Sequence, residues 1–286
     1  MYAVMGVTGK VGGAAARALL EAGAPVRAIV RDAAKGRAWS EQANVAVADV
    51  HDTPALAAAF AGCEGVFVML PPMFDPTPGF PEAAVMISSL REALLKSAPG
   101  RVVALSTIGA EVSQPNLLNQ LGMLEQALAD LPAPVTFLRA AWFIENAAWD
   151  VASARDQGVI RSYLQPLDRA VPMVSSEDVG RAAAALLQNP WAGHRVVELE
   201  AAERVTPHDL AQAFAQALGR PVHAEAVPRS DWEAIFLAEG MCNPEPRMQM
   251  LDGFSAGWID FPDRGAGALK GATTLQQAVA ALVRQA

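Results

Sequence analysis

Met1–Gly13 reads MYAVMGVTGKVGG, and the way this stretch breaks decides the fold. Tyr2-Ala3-Val4-Met5 is an apolar run short enough for a buried strand. Gly6-Val7-Thr8-Gly9-Lys10-Val11-Gly12 interrupts it. From Lys10 the pattern turns helical, with Ala14, Ala15, Ala18, Leu19 and Leu20 apolar and Arg17 and Glu21 polar. Strand, glycine turn and helix in that order can cradle a phosphate. Glycine permits the sharp turn and lets the backbone approach a pyrophosphate with no Cβ in the way. Free N–H groups at the helix start then face the anion, with the helix dipole behind them. Gly6, Thr8, Gly9, Lys10, Val11 and Gly12 are therefore the expected contacts to a dinucleotide.

Working outward, Gly23-Ala24-Pro25 stops the helix and Val26–Val30 makes a second strand, which ends in Arg31-Asp32 with Lys35 close behind. In such a unit this is where the adenosine ribose is read. An acidic side chain there bonds the 2′-OH and selects NAD. Arg31 instead offers a planar cation for a 2′-phosphate, and Lys35 adds a second charge. The pattern favours NADP(H) over NAD(H); the rival reading makes Asp32 the ribose ligand and leaves the cations solvated. A third strand, Val45–Ala48, ends at Asp49-Val50, where a carboxylate can bond the adenine amino group and the next side chain can cover the ring edge. Asp49, His51 and Asp52 share one short turn without a second ligand group nearby, so no metal site is expected.

Thr53 as N-cap and Pro54 at the first position open a helix through Phe60. Gly65–Leu70 is wholly apolar, as a central parallel strand should be. Leu70-Pro71-Pro72 begins a stiff loop at the carboxyl end of the sheet, placed with Ser106 to border the cofactor. A helix over Pro81–Ser97 leads to strand Arg101–Leu105, which ends in Ser106-Thr107. A helix over Asn116–Ala129 leads to strand Pro134–Leu138, which ends before Trp142-Phe143. This alternation predicts an α/β fold, a doubly wound parallel (Rossmann) sheet with ligands beyond the carboxyl ends of its strands. Residues 1–150 form the expected dinucleotide-binding domain. Residues 151–286, where the alternation loosens, form a mixed region that completes the sheet and adds a smaller α+β lobe. Strands at Arg195–Leu199 and Val222–Ala226 fall in this part, as do Trp232, Phe236, Phe254 and Trp258. Those aromatics read as the lobe's core, or as a substrate lid or subunit interface, which leaves a homodimer open.

Composition narrows the partners. At 286 residues with 52% hydrophobic and 18% charged side chains, the chain is globular. Its net charge of −8 and the lack of a Lys/Arg block make nucleic acid and anionic membranes poor partners. Cys63 and Cys242 lie far apart in no C-x-x-C arrangement, which suits a reducing compartment. No apolar stretch reaches the roughly 18 residues of a membrane span. A cytoplasmic protein is expected.

Gly6-x-Thr8-Gly9-x-x-Gly12, Val30-Arg31-Asp32, Ala48-Asp49-Val50, Gly62-Cys63-Glu64-Gly65-Val66-Phe67, Leu138-Arg139 with Phe143-x-Glu145-Asn146, Ser175–Gly180 and Leu218–Val222 together resemble the NmrA-like family of atypical short-chain dehydrogenase/reductases. The resemblance implies NADP(H) lying across Gly6–Gly12, Arg31 and Asp49, with a smaller C-terminal lobe closing a substrate cleft. Members of that family include NADPH-dependent quinone reductases and azoreductases, and also redox-sensing regulators that bind the cofactor without catalysis. The chain departs from the wider pattern in its acid. Short-chain dehydrogenases use a Tyr with a Lys four residues on, whereas Tyr2 lies inside strand one and Tyr163 has Leu167 at that offset. Family members also often carry a Lys four residues before the Glu matching Glu125; here that position is Leu121.

The missing acid narrows the reaction. Reducing a simple ketone leaves an alkoxide that needs a positioned proton donor. The anion from a quinone is delocalised and weakly basic, so positioning plus one hydrogen bond from Ser106, Thr107, Asn146 or water can suffice. Trp142 and Phe143 would frame the ring, with Tyr163 closing over it. Each has a plainer alternative: strand-end capping for Ser106-Thr107, core packing for Phe143, a helix cap for Asn146. The expected activity is hydride transfer from NADPH to a quinone-like, azo or other conjugated acceptor. The alternative is a non-catalytic NADP(H)-binding sensor.

Overall fold

The computed structural model describes residues 1–286. Its first half runs β1 (Tyr2–Val4), α1 (Lys10–Glu21), β2 (Val26–Val30), α2 (Ala33–Gly36), β3 (Asn44–Val47), α3 (Thr53–Phe60), β4 (Gly65–Val68), α4 (Pro81–Ser97), β5 (Val102–Thr107), α5 (Asn119–Leu128) and β6 (Val135–Ala140). The second half adds β7 (Trp142–Phe143), α6 (Val151–Gln157), β8 (Val159–Ser162), β9 (Met173–Val174), α7 (Ser176–Gln188), β10 (His194–Ala201), α8 (Pro207–Leu218), β11 (His223–Ala226), α9 (Trp232–Ala238), α10 (Glu245–Ala256), β12 (Leu269–Gly271) and α11 (Leu275–Gln285).

Eight strands form one sheet in the order β12-β10-β6-β5-β4-β1-β2-β3, and every pairing in it is parallel. Helices cover both faces, which is why β4 and β6 bury every residue; β4 reads as an unbroken apolar run, whereas β6 also buries Thr136 and Arg139. The chain leaves β1 toward β2 on one side and reaches β4 on the other. A crevice therefore opens at the carboxyl ends of β1 and β4, the topological switch point where such sheets bind ligands.

The sheet does not stop at residue 150, because β10 and β12 extend it beyond β6. Helix α7 crosses back to lie on α1. A Cβ on Gly180 would come within 2.4 Å of the Ala14 Cβ, so the two helices touch backbone to backbone at that point. One core of 51 buried residues runs from β1 and α1 through α7 to Trp232, Phe236 and Phe254, so the lobe shares the interior of the sheet's face. Trp232 and Phe236 are fully buried, each worth roughly 2–3 kcal/mol of transfer free energy.

Local differences from the sequence reading have local causes. The α3 cap is Asp52, not Thr53: its carboxylate accepts from the Ala55 amide at 3.0 Å, a bond worth about 1 kcal/mol. Thr53 sits inside the first turn and pairs with Ser89 of α4 at 2.9 Å. Strands β5 and β6 run two residues further than expected, because Ser106 pairs with Arg139 and Thr107 with Ala140 in register. Helix α5 begins later, at Asn119, because the Asn116 side chain accepts from the Leu118 amide at 2.8 Å and holds a turn ahead of it. The strand near Val222–Ala226 pairs only with β8, outside the main sheet.

Candidate functional site

The turn after β1 is built for close approach. Gly6 has φ +68, a conformation that glycine adopts without strain. A Cβ on Gly12 would lie 2.3 Å from the Met5 carbonyl oxygen and 2.4 Å from that of Gly6, so α1 rests directly on the turn. The N-cap of α1 is Gly9, with no capping side chain and no acidic residue in the first turn. Its leading N–H groups are therefore open to an outside acceptor. Thr8, Gly9 and Lys10 are exposed around them. A narrow glycine cradle and an uncapped, carboxylate-free helix start fit a dinucleotide pyrophosphate.

At the far end of the crevice, the Asp32 carboxylate accepts from the Ala34 amide at 2.8 Å and so caps α2. Arg31 and Lys35 stand exposed beside it. The Asp49 carboxylate accepts from the His51 amide at 2.9 Å through one oxygen, and Val50 behind it is buried.

Beyond β4, β5 and β6 lies a cavity of about 470 Å³. Of its 35 lining residues 25 are hydrophobic, which suits a flat apolar ligand. Val11 of the glycine turn opens onto it, and so do Leu70, Pro71 and Pro72. Ser106, Thr107, Trp142, Phe143, Asn146 and Tyr163 line the same space. Arg31, Lys35 and Asp49 lie outside it, toward the β3 edge. Trp142 meets Phe254 edge to face at 5.1 Å, so the lobe stiffens this wall. The rim is aromatic: Phe74 and Trp149 are 49% and 66% exposed and meet edge to face at 6.1 Å. Asp75, next to Phe74, accepts from the Cys242 and Asn243 amides at 2.8 and 2.7 Å, which pins the loop after β4 to the lobe. Those two amides hold the Asp75 carboxyl below its ordinary value.

The three expected proton or hydrogen-bond donors differ in what surrounds them. Ser106 is buried and donates its hydroxyl proton to Glu125. Glu125 in turn accepts from Arg139 at 2.9 and 2.7 Å, and Arg139 also pairs with Glu111 at 2.6 Å. The Ser106 hydroxyl is thus committed to this network and is not a free donor to a ligand. Thr107 ends β5, and Asn146 sits on the short turn Ile144–Asp150. Tyr163 packs against Trp232 at 5.7 Å and Phe236 at 5.1 Å. Burial, and then the Glu239 charge, push its hydroxyl pKa up, which makes it a poorer acid. Glu145, part of the resemblance, serves α7: its carboxylate accepts from the Ser176 amide at 3.0 Å.

Among the cavity residues that sequence reasoning missed are Phe74, Trp149, Asp150 and Arg247. Asp150 leads into α6 but makes no capping bond with its side chain. Burial pushes its carboxyl up to about 6, against a smaller opposing pull from the main chain of Arg161. A lone Asp after a Trp gives no periodic or motif signal, and only the folding-over of β8 and α10 makes this position part of a site. Arg247 lies over Phe236 at 4.3 Å and Trp149 at 5.6 Å, a stacking equally invisible in the sequence.

Residues 6–190 match a family described as NAD(P)H-binding. An NAD(P)H azoreductase of Xenophilus azovorans is 27% identical over 94% of this chain and 90% of its own length. A solved NADPH-dependent quinone oxidoreductase from Escherichia coli superimposes with TM-score 0.77 at 25% identity, covering 99% of each chain. The triphenylmethane reductase of a Citrobacter species shares the fold, with TM-score 0.81 at 21% identity over 99% of each chain.

Proposed function

We propose that this chain, which belongs to the NAD(P)H-binding family, is an NADPH-dependent reductase of azo and quinone-like acceptors. The observation that carries the reading is the single apolar cavity that joins Val11 of the glycine turn to the Trp142 and Tyr163 walls. Likeness to an azoreductase and to a quinone oxidoreductase supports the acceptor class. NADPH, when bound, supplies the hydride. The first-turn N–H groups of α1 hold its pyrophosphate, Asp49 and Val50 border the adenine, and Leu70-Pro71-Pro72 with Thr107 border the nicotinamide end. Trp142 and Phe143 hold the acceptor flat, and the Phe74–Trp149 rim limits water at the mouth. The two unpaired cysteines fit work in the reducing cytoplasm.

Arg31 and Lys35 read the 2′-phosphate in this scheme, because Asp32 is engaged as the cap of α2. NADPH is expected to bind more tightly than NADH, with Arg31→Ala erasing most of the difference, about 1.5–3 kcal/mol for one charge-assisted contact. Calorimetry on both cofactors checks this, and equal wild-type affinities would sink it. The activity itself is tested by following NADPH consumption against matched quinones, an azo dye and simple ketones. Turnover of the first two without the ketones is expected; silence across all three, with NADPH bound, would point to the sensor instead.

A further inference from the structure

An azo bond makes a demand that a quinone does not. When hydride reaches one azo nitrogen, the electron pair of the π bond collects on the other, a strongly basic centre that needs a positioned acid. The donors the sequence suggests do not meet this need. Ser106 donates its hydrogen bond to Glu125, and Tyr163 is a weakened acid.

One carboxyl on the cavity wall has no structural task. Asp150 joins the Ile144–Asp150 turn to α6 and lines the same cavity as Val11 and Trp142. It makes no side-chain cap to α6. No Lys, Arg or His forms an ion pair with it, and the only group that favours its charged form is the nearby main chain of Arg161, which burial outweighs. The other charged or titratable groups on this wall are Arg161 and Tyr163 at β8 and Arg247 on α10. Glu239, 4.0 Å from Arg247, stands behind them.

We propose that Asp150 is the proton donor of the acceptor reaction, handing its carboxyl proton to the azo nitrogen that does not receive the hydride. The proposal rests on the reductase reading above. Atoms and electrons balance. Two electrons and one hydrogen arrive from NADPH, which leaves NADP⁺. The N=N double bond becomes HN–NH by gaining that hydrogen and the Asp150 proton, and the carboxylate left behind regains a proton from water. The raised pKa of about 6 keeps part of the Asp150 population protonated near neutrality, close to the ideal for general acid work.

The test compares wild type with Asp150→Asn, Asp150→Ser and Asp150→Glu on an azo dye and on a quinone. Asp150→Asn is expected to lower azo kcat about a hundredfold or more, with little change in KM or NADPH affinity. Quinone kcat should fall far less, because its anion needs no acid, and Asp150→Glu should restore part of the azo rate. Wild-type azo kcat should fall as pH rises past about 6, and that limb should vanish in the Asn and Ser variants.

A second readout needs no cofactor. The folded carboxyl keeps its proton to higher pH than the unfolded one, so the native state binds more protons in the window up to about 6. Thermal stability of the apo protein should therefore decline as pH rises through that window, and Asp150→Asn should flatten the decline. An active wild type whose Asn variant keeps both the azo rate and the pH limb overturns the Asp150 proposal alone. A wild type inactive toward every acceptor overturns the reductase reading and this proposal with it. If Asp150→Asn does not fold, the Ser and Glu variants and the wild-type pH limb decide.

Discussion

Glu125→Ala is expected to lower the folding stability by about 3–5 kcal/mol, nearer the lower figure. Arg139 is buried beneath the cavity floor. Desolvation alone would pull its guanidinium pKa down; the paired hydrogen bonds it donates to Glu125, together with the charges of Glu125, Glu111 and Glu198, more than offset that, so the net shift is upward. Removing Glu125 leaves a buried cation whose one remaining ion-pair partner is Glu111, 39% exposed and screened by water, with Glu198 acting on it only by charge, and it strips Ser106 of its acceptor. Replacing both members with apolar side chains, as in Glu125→Leu with Arg139→Met, should recover much of the loss, because no unpaired charge remains. Urea titration of the two single variants and the double variant measures the coupling. A loss under about 1 kcal/mol for Glu125→Ala would mean that Glu111 and water already satisfy Arg139.

That network also marks how far the sequence reaches. The sheet was legible because its signals are local: the glycine turn after Tyr2–Met5, and the apolar run Gly65–Leu70 that only a strand covered on both faces needs. The tight glycine turn was legible for the same reason, since Gly6, Gly9 and Gly12 act within one turn. The Glu125–Arg139 pair was not, because it exists only once Ser106 falls opposite Arg139 in the β5–β6 register. The lobe was harder still. Its aromatics announce a core, but Tyr163 reaches Trp232 and Phe236 through packing between segments about seventy residues apart, which no periodicity encodes. Asp150 fell on the expected boundary between the two parts of the chain, where local pattern is weakest. Sequence reasoning named Thr107, Trp142, Phe143, Asn146 and Tyr163 of the cavity wall from strand ends and motif, and missed Phe74, Trp149, Asp150 and Arg247, which tertiary contact brings there.

Gly9→Val is expected to weaken NADPH binding by roughly 10²–10⁴-fold while leaving the fold intact. The backbone at Gly9 is extended, with φ −98 and ψ 179, which a β-branched residue adopts freely. An added Cβ would meet only the Gly6 carbonyl oxygen, at 3.3 Å, a contact that a small shift relieves. The branches would then stand over the first-turn N–H groups of α1, where the pyrophosphate must lie. Losing two charge-assisted bonds there costs about 3–6 kcal/mol, a weakening of roughly 10²–10⁴-fold. Gly12→Ala makes the contrasting case. Its Cβ would press on two main-chain carbonyl groups at 2.3–2.5 Å, and backbone held in β1 and the turn cannot retreat, so the cost should fall on folding, by 1–3 kcal/mol or more. The two variants thus separate a glycine that leaves room for a ligand from one that leaves room for the helix. Circular dichroism and thermal unfolding with and without NADPH read both effects. A folded Gly9→Val protein whose melting temperature still rises normally with NADPH would place the phosphates somewhere other than this turn.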